Sequence, residues 1–144
     1  MNTFAKTAKR IIFAVTIILA ITACTQEDDI SDIFIDRPWT LTRIHDGSTE
    51  YNNRGKRYSL LFTEDEFSAT MPSGSAINGK WEANGNTRKF RCWNIKTAGS
   101  IKGDTIAEKM LDMFTEATSY EGDTNWLRII KKNNNNTYML FGNN

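Results

Sequence analysis

Histidine and cysteine are nearly absent from this 144-residue chain, which has one of the former and two of the latter. A structural zinc site takes four such ligands, so metal chemistry of the Cys/His type is excluded by count. Positive charge is not in excess either: 18 Lys and Arg stand against 17 Asp and Glu. Nucleic-acid binding needs a clear basic surplus to displace counterions from phosphates. Long apolar runs are missing too. The longest, Ile11 to Ala23, is thirteen residues with Thr16 and Thr22 inside it, whereas a membrane-spanning helix needs about 20. Neither a Gly-x-Ser-x-Gly nucleophile elbow nor a phosphate-binding loop occurs.

What is present begins at the N-terminus. Lys6, Lys9 and Arg10 precede the short apolar run, which ends in Leu19-Ala20-Ile21-Thr22-Ala23-Cys24. A positive start, a short greasy middle and small residues at the end describe a secretory signal peptide. The cysteine directly after Thr22-Ala23 resembles the bacterial lipobox, with Ile21 where leucine commonly stands. That resemblance implies cleavage before Cys24, a diacylglycerol thioether on its sulfur, and attachment to the membrane through acyl chains alone. Two or more chains hold firmly, at about 0.8 kcal/mol per buried CH₂. Thr25-Gln26-Glu27-Asp28-Asp29 follows. It reads as a solvated tether, and it resembles the surface-export signal of lipoproteins in the Bacteroidota. The expected location is the outer membrane with display on the cell surface, the periplasmic face being the alternative. The expected division is a leader at 1–23, a lipidated cysteine and flexible acidic linker at 24–36, and a β domain at 37–144.

The leader holds three of the cations and no acid, so the remaining 121 residues carry a net charge of about −2. They suffice for one domain with a core. Arg54-Lys56-Arg57, Arg88-Lys89-Arg91 and Lys131-Lys132 read as solvated strand ends and turns. With Cys24 acylated, Cys92 has no partner for an internal disulfide, and packing alone must hold the core. Alternation in Lys89-Phe90-Arg91-Cys92-Trp93 puts Cys92 on the face of Phe90, the setting of a buried structural thiol. His45, just before an Asp46-Gly47 turn, is a poor catalytic partner for it.

Short alternating segments dominate after residue 36. Trp39 to Ile44, Arg57 to Thr63, Glu66 to Met71, Ala76 to Ala83 and Lys89 to Thr97 predict five strands. Their inward residues are Trp39 and Leu41; Tyr58, Leu60 and Phe62; Phe67, Ala69 and Met71; Ile77, Gly79, Trp81 and Ala83. Glu64-Asp65 and Asn84-Gly85-Asn86 supply hairpin turns, and His45 to Gly55 reads as a polar loop. Then the period changes. Thr105-Ile106-Ala107-Glu108 has capping-box spacing, and Ile106, Met110, Met113, Phe114 and Ala117 form one apolar stripe of a helix over roughly 105–118. Ser119 to Asp123 exits it. Asn125 to Lys131 and Thr137 to Phe141 predict two last strands around an asparagine loop. The expected fold is mainly β (α+β): an antiparallel curved sheet or small barrel of about seven strands, with one amphipathic helix before the last two.

Ile95-Lys96-Thr97, Glu108, Leu111, Ala117-Thr118-Ser119-Tyr120, Leu127-Arg128-Ile129 and Tyr138-Met139-Leu140-Phe141, with Trp39 to Ile44 and Gly79-Lys80-Trp81 upstream, resemble the META domain of HslJ-like heat-inducible lipoproteins. The order is also similar to that of a divergent lipocalin-like lipoprotein. Gly74-Ser75-Ala76-Ile77-Asn78 stands where the META family has Gly-Cys-Asn, a departure from its pattern. The resemblance implies a β domain in the envelope, a loose link to stress or drug tolerance, and no agreed active site.

Paired carboxylates at Asp28/Asp29, Glu64/Asp65/Glu66 and Glu121/Asp123 lie at turns, unlike the cleft-held pair of a glycosidase. Trp39 and Trp81 align with core residues. Trp93, with Arg91 and Ile95, and Trp126, with Arg128 and Ile130, face outward. Trp93, Trp126, Arg91 and Arg128 are therefore the candidate binding residues, because tryptophan beside arginine suits sugar stacking or a protein contact. No catalytic residue, metal or cofactor is expected. The expected function is that of a monomeric, non-enzymatic, lipid-anchored envelope protein whose sheet offers a groove or pocket to a small apolar ligand or a partner protein. The alternative is a protease inhibitor or protein-binding module acting through His45–Arg57 or Met71–Asn78.

Overall fold

The alternation along the chain becomes the inner and outer face of one curled sheet. The structure is a computed structural model describing residues 27–132 and 135–143. Its strands are β1 (Trp39–Asp46), β2 (Thr49–Asn52), β3 (Ser59–Phe62), β4 (Glu66–Thr70), β5 (Ala76–Ala83), β6 (Phe90–Ala98), β7 (Ala117–Gly122), β8 (Trp126–Lys131) and β9 (Thr137–Asn143). All pairings between them are antiparallel. Eight strands run in the order β6-β5-β4-β3-β1-β9-β8-β7, with β2 paired beside β1. The two ends of that path meet at a Lys89–Ser119 bridge, where the Tyr120 N–H donates to the Arg88 carbonyl at 3.0 Å. The sheet is thus nearly closed into a barrel.

Among the described residues two helices complete the fold, α1 (Ile30–Phe34) and α2 (Thr105–Glu116). The mainly β architecture agrees with expectation, but the element count is larger. β2 occupies part of the expected polar loop, closed by the Asp46-Gly47 turn with Gly47 at φ 64°. β7 replaces the expected helix exit, so α2 precedes three strands and stops at Glu116. The reason is a bulge between Ala117 and Ser119. It turns Ala117 and Tyr120, three apart, to the same inner face, a spacing that imitates a helix. The cap of α2 is also displaced by one residue. Asp104 accepts from the Ala107 N–H at 3.1 Å, and Glu108 reaches back to the Gly103 N–H at 3.3 Å.

Residues 27–36 correct the expected linker. Ile30, Ile33 and Phe34 have the i, i+3, i+4 spacing of a helix face, and Asp29 caps that helix by accepting from the Asp32 N–H at 3.1 Å. Phe34 is fully buried. Its ring lies 4.9 Å from Trp81, 5.0 Å from Tyr120, 5.1 Å from Phe62 and 5.7 Å from Phe90. The segment is part of the core.

From the other side, α2 buries Ala107, Met110, Met113 and Phe114 and packs chiefly against β6 and β8. Phe114 meets Phe67 at 4.7 Å. Its polar flank is tied down by Lys109 to Asp46 at 2.6 Å and by Lys131 to Asp112 and Glu116 at 3.0 and 2.9 Å. The barrel interior is consequently filled by side chains. No described helix is long and apolar enough to cross a membrane.

Candidate functional site

With the interior filled, concave surface lies outside the barrel. A cleft of about 840 Å³ opens between the β2–β3 segment (Glu50–Arg54, Lys56, Tyr58), the β4–β5 turn (Pro72, Ser73) and the start of α2 (Gly103–Ile106). The two loops singled out above, His45–Arg57 and Met71–Asn78, therefore both contribute residues to the lining of one cavity. Its floor is polar. The Tyr58 hydroxyl donates to the Asp104 carboxylate, 3.0 Å from Oδ1 and 3.1 Å from Oδ2. Burial, and then the adjoining carboxylate, push the Tyr58 hydroxyl up to about 12, so it stays protonated and donating at neutral pH. Arg54, held at φ 51°, and Lys56 rim the cleft. Among the described residues β2 has only β1 as its ladder partner, which leaves its other backbone edge unpaired in the sheet.

Alternation did not reveal this grouping. Tyr58 reads as one more inward aromatic, and it is inward, but its hydroxyl ends at the cleft. Asp104 carries the only sequence signal, an aspartate directly before a helical apolar stripe.

The four predicted binding residues fall into two separate patches. On β6, the Arg91 guanidinium lies 4.5 Å over the Trp93 ring and pairs with Glu82. Ile95 leaves this face, because Asn94 sits at φ 51° where the β5–β6 register slips, and it packs against the core. On β8, Trp126 is 40% exposed. Arg128 stacks on Tyr138 at 4.8 Å rather than on Trp126 and pairs with Glu121. Tyr138 also stacks on His45 at 5.4 Å. Ile130 is buried. In each patch the arginine already has a carboxylate and a ring, which leaves it less free to take a ligand.

Cys92 faces inward among core residues, and burial pushes its thiol far above the ordinary range. His45 lies on the outer face, so the structure does not bring the two together. Among the described residues, no group of three or more His, Cys, Asp or Glu side chains could hold a metal ion. Cys24 lies outside the described residues. Four positions on, however, Asp28 is fastened to the barrel. Its N–H donates to the Gly85 carbonyl at 3.0 Å, and its carboxylate accepts from the Tyr120 hydroxyl at 2.9 Å and from Arg88 Nε at 3.1 Å. A Cβ at Gly85 would stand 2.2 Å from the Asp28 carbonyl oxygen, so only glycine permits this approach.

A family described as a domain of unknown function, DUF4847, matches residues 25–143. The chain belongs to the DUF4847 family. Its fold is similar to the crystal structure of a DUF4847 family protein from Bacteroides vulgatus ATCC 8482, with a TM-score of 0.63 at 16% identity over 81% of this chain and 98% of that one. It is also similar to the NMR structure of a protein from Burkholderia xenovorans, with a TM-score of 0.57 at 13% identity over 85% and 92% of the two chains. No curated protein matches the chain. At these identities the likeness concerns the fold alone.

Proposed function

We propose that this DUF4847 protein is a non-enzymatic envelope protein, anchored through acyl chains on Cys24 and displayed on the outer membrane, whose β domain binds a ligand in the cleft between β2, the β4–β5 turn and α2. The observation that carries the binding reading is that cleft, about 840 Å³ of concave surface walled by three separate elements. Its lining changes the class of ligand from apolar to polar. Arg54, Lys56, Asn52, Asn53, Ser73 and the Tyr58–Asp104 pair present charges and hydrogen-bonding groups, whereas the apolar barrel interior is occupied by Phe34. The lipobox-like segment and the likeness to META-type lipoproteins support the envelope location. A protein-binding module is the second reading, favoured by the free edge of β2, to which an extended peptide could add as a strand.

Native mass spectrometry of residues 25–144 after exposure to envelope extract tests the binding reading. A stoichiometric adduct, lost when Arg54 and Lys56 are both changed to alanine, is the expected outcome. A small-molecule mass supports the first reading and a polypeptide mass the second. No adduct, or one indifferent to the double substitution, refutes binding at the cleft.

A further inference from the structure

We infer that Asp28 converts the acidic segment into a short strap, which turns the α1 end of the barrel toward the bilayer and the polar cleft away from it. The inference rests on the anchoring of Cys24 proposed above, and on where the folded chain begins. Four peptide steps separate Cys24 from Asp28. Fully extended, they reach about 14 Å at most. The headgroup layer takes up roughly 5–7 Å of that, so Asp28 stands within about 10 Å of the lipid surface.

Asp28 is not free to swing. Its backbone and both neighbours of its carboxylate belong to the barrel: Gly85 in the β5–β6 turn, Arg88 just before β6, and Tyr120 on β7. Its side chain is 16% exposed. The cleft lies at the other end. Asn84-Gly85 follows β5 and Pro72-Ser73 precedes it, and the eight residues of β5 span about 25 Å. A body of that length on a strap of 14 Å cannot turn over. The bilayer-facing end carries Asp29, Asp32 and Asp123 beside Arg88, and these acids oppose adhesion to anionic lipid. Orientation therefore comes from the strap and not from surface attraction.

The test places a genetically encoded fluorescent residue at position 86 or 73 of the membrane-purified protein, reconstituted in phosphatidylethanolamine/phosphatidylglycerol vesicles that carry a headgroup acceptor dye. Energy transfer from position 86 should exceed that from position 73 by about twofold or more. A flexible Gly/Ser insertion after Thr25, of roughly 12 residues and about 20 Å end to end, should erase the difference. Equal transfer from the two positions, or a difference that survives the insertion, overturns the strap. Failure of the anchor itself is read separately, as the absence of acyl mass on Cys24. In that case the 24–144 chain with Cys92→Ser, coupled at Cys24 to a maleimide phospholipid, gives the same two outcomes for the geometry.

Discussion

Replacing Phe34 with alanine separates a helix that completes the core from a tether that merely precedes it. Phe34 is fully buried and ringed by Trp81, Tyr120, Phe62 and Phe90 at 4.9–5.7 Å. Truncating such a side chain loses its transfer free energy and leaves a cavity that rigid aromatic neighbours fill poorly, about 3–5 kcal/mol in total. Four aromatic contacts disappear with it, each worth about 0.5–1.5 kcal/mol beyond burial. They are not independent, and they place the cost toward the upper half of that range. At about 4 °C per kcal/mol for a domain of this size, the midpoint should fall by roughly 16–20 °C. Urea unfolding followed by tryptophan fluorescence measures the free energy directly, and an unchanged m-value would confirm that the folded state itself is intact. Phe34→Leu, costing about 1–2 kcal/mol, guards against a variant too unstable to fold. A loss under about 0.5 kcal/mol for Phe34→Ala, as expected of an exposed tether, would refute the reasoning.

Gly85→Ala should destabilise by about 1–3 kcal/mol, and should raise proteolysis between residues 27 and 36, because the added Cβ displaces Asp28. Limited digestion with mass readout checks this. The Lys109 hydrogen bond holds the Asp46 carboxyl below its ordinary 3.8. The stability it gives is thus present above that value and lost as pH falls through the lowered one, so melting scans from pH 6 to 2 should show a steeper acid loss for wild type than for Lys109→Met. Cys92, its thiol raised by burial, should react with iodoacetamide at pH 8 far more slowly in the folded protein than in urea. Equal rates would place it on the surface. Tyr58→Phe should cost about 1 kcal/mol through the lost bond to Asp104, and should weaken any adduct seen at the cleft.

Much of the β architecture was legible because alternation is strict where strands are regular. Leu60 and Phe62 on β3, Phe67 and Ala69 on β4, and Ile77 and Trp81 on β5 all face inward as their spacing requires. The helical stripe of Met110, Met113 and Phe114 is equally plain. What escaped was irregular. The bulges at Leu41/Arg43, Asn78/Lys80 and Ala117/Ser119 each insert a residue and change the phase, and the last of them disguised β7. α1 is a single short turn whose acidic neighbours outweighed its three apolar positions. β2 buries little, so four mostly polar residues carried no inward signal. The cleft was half legible. Both wall loops could be named, but their meeting across the fold depends on the pairing of β1 with β3, which no local pattern encodes.

The seating of β9 between β1 and β8 has a consequence in time. Trp39 pairs with Asn143, so one long edge of β1 stays bare until almost the whole domain has been delivered. Contacts this distant along the chain form slowly, and a bare edge in the interval invites pairing with the wrong strand. The protein's vulnerable moment is thus the wait between the emergence of β1 and the arrival of β9, and a chaperone that shielded β1 alone for that interval would meet most of its need.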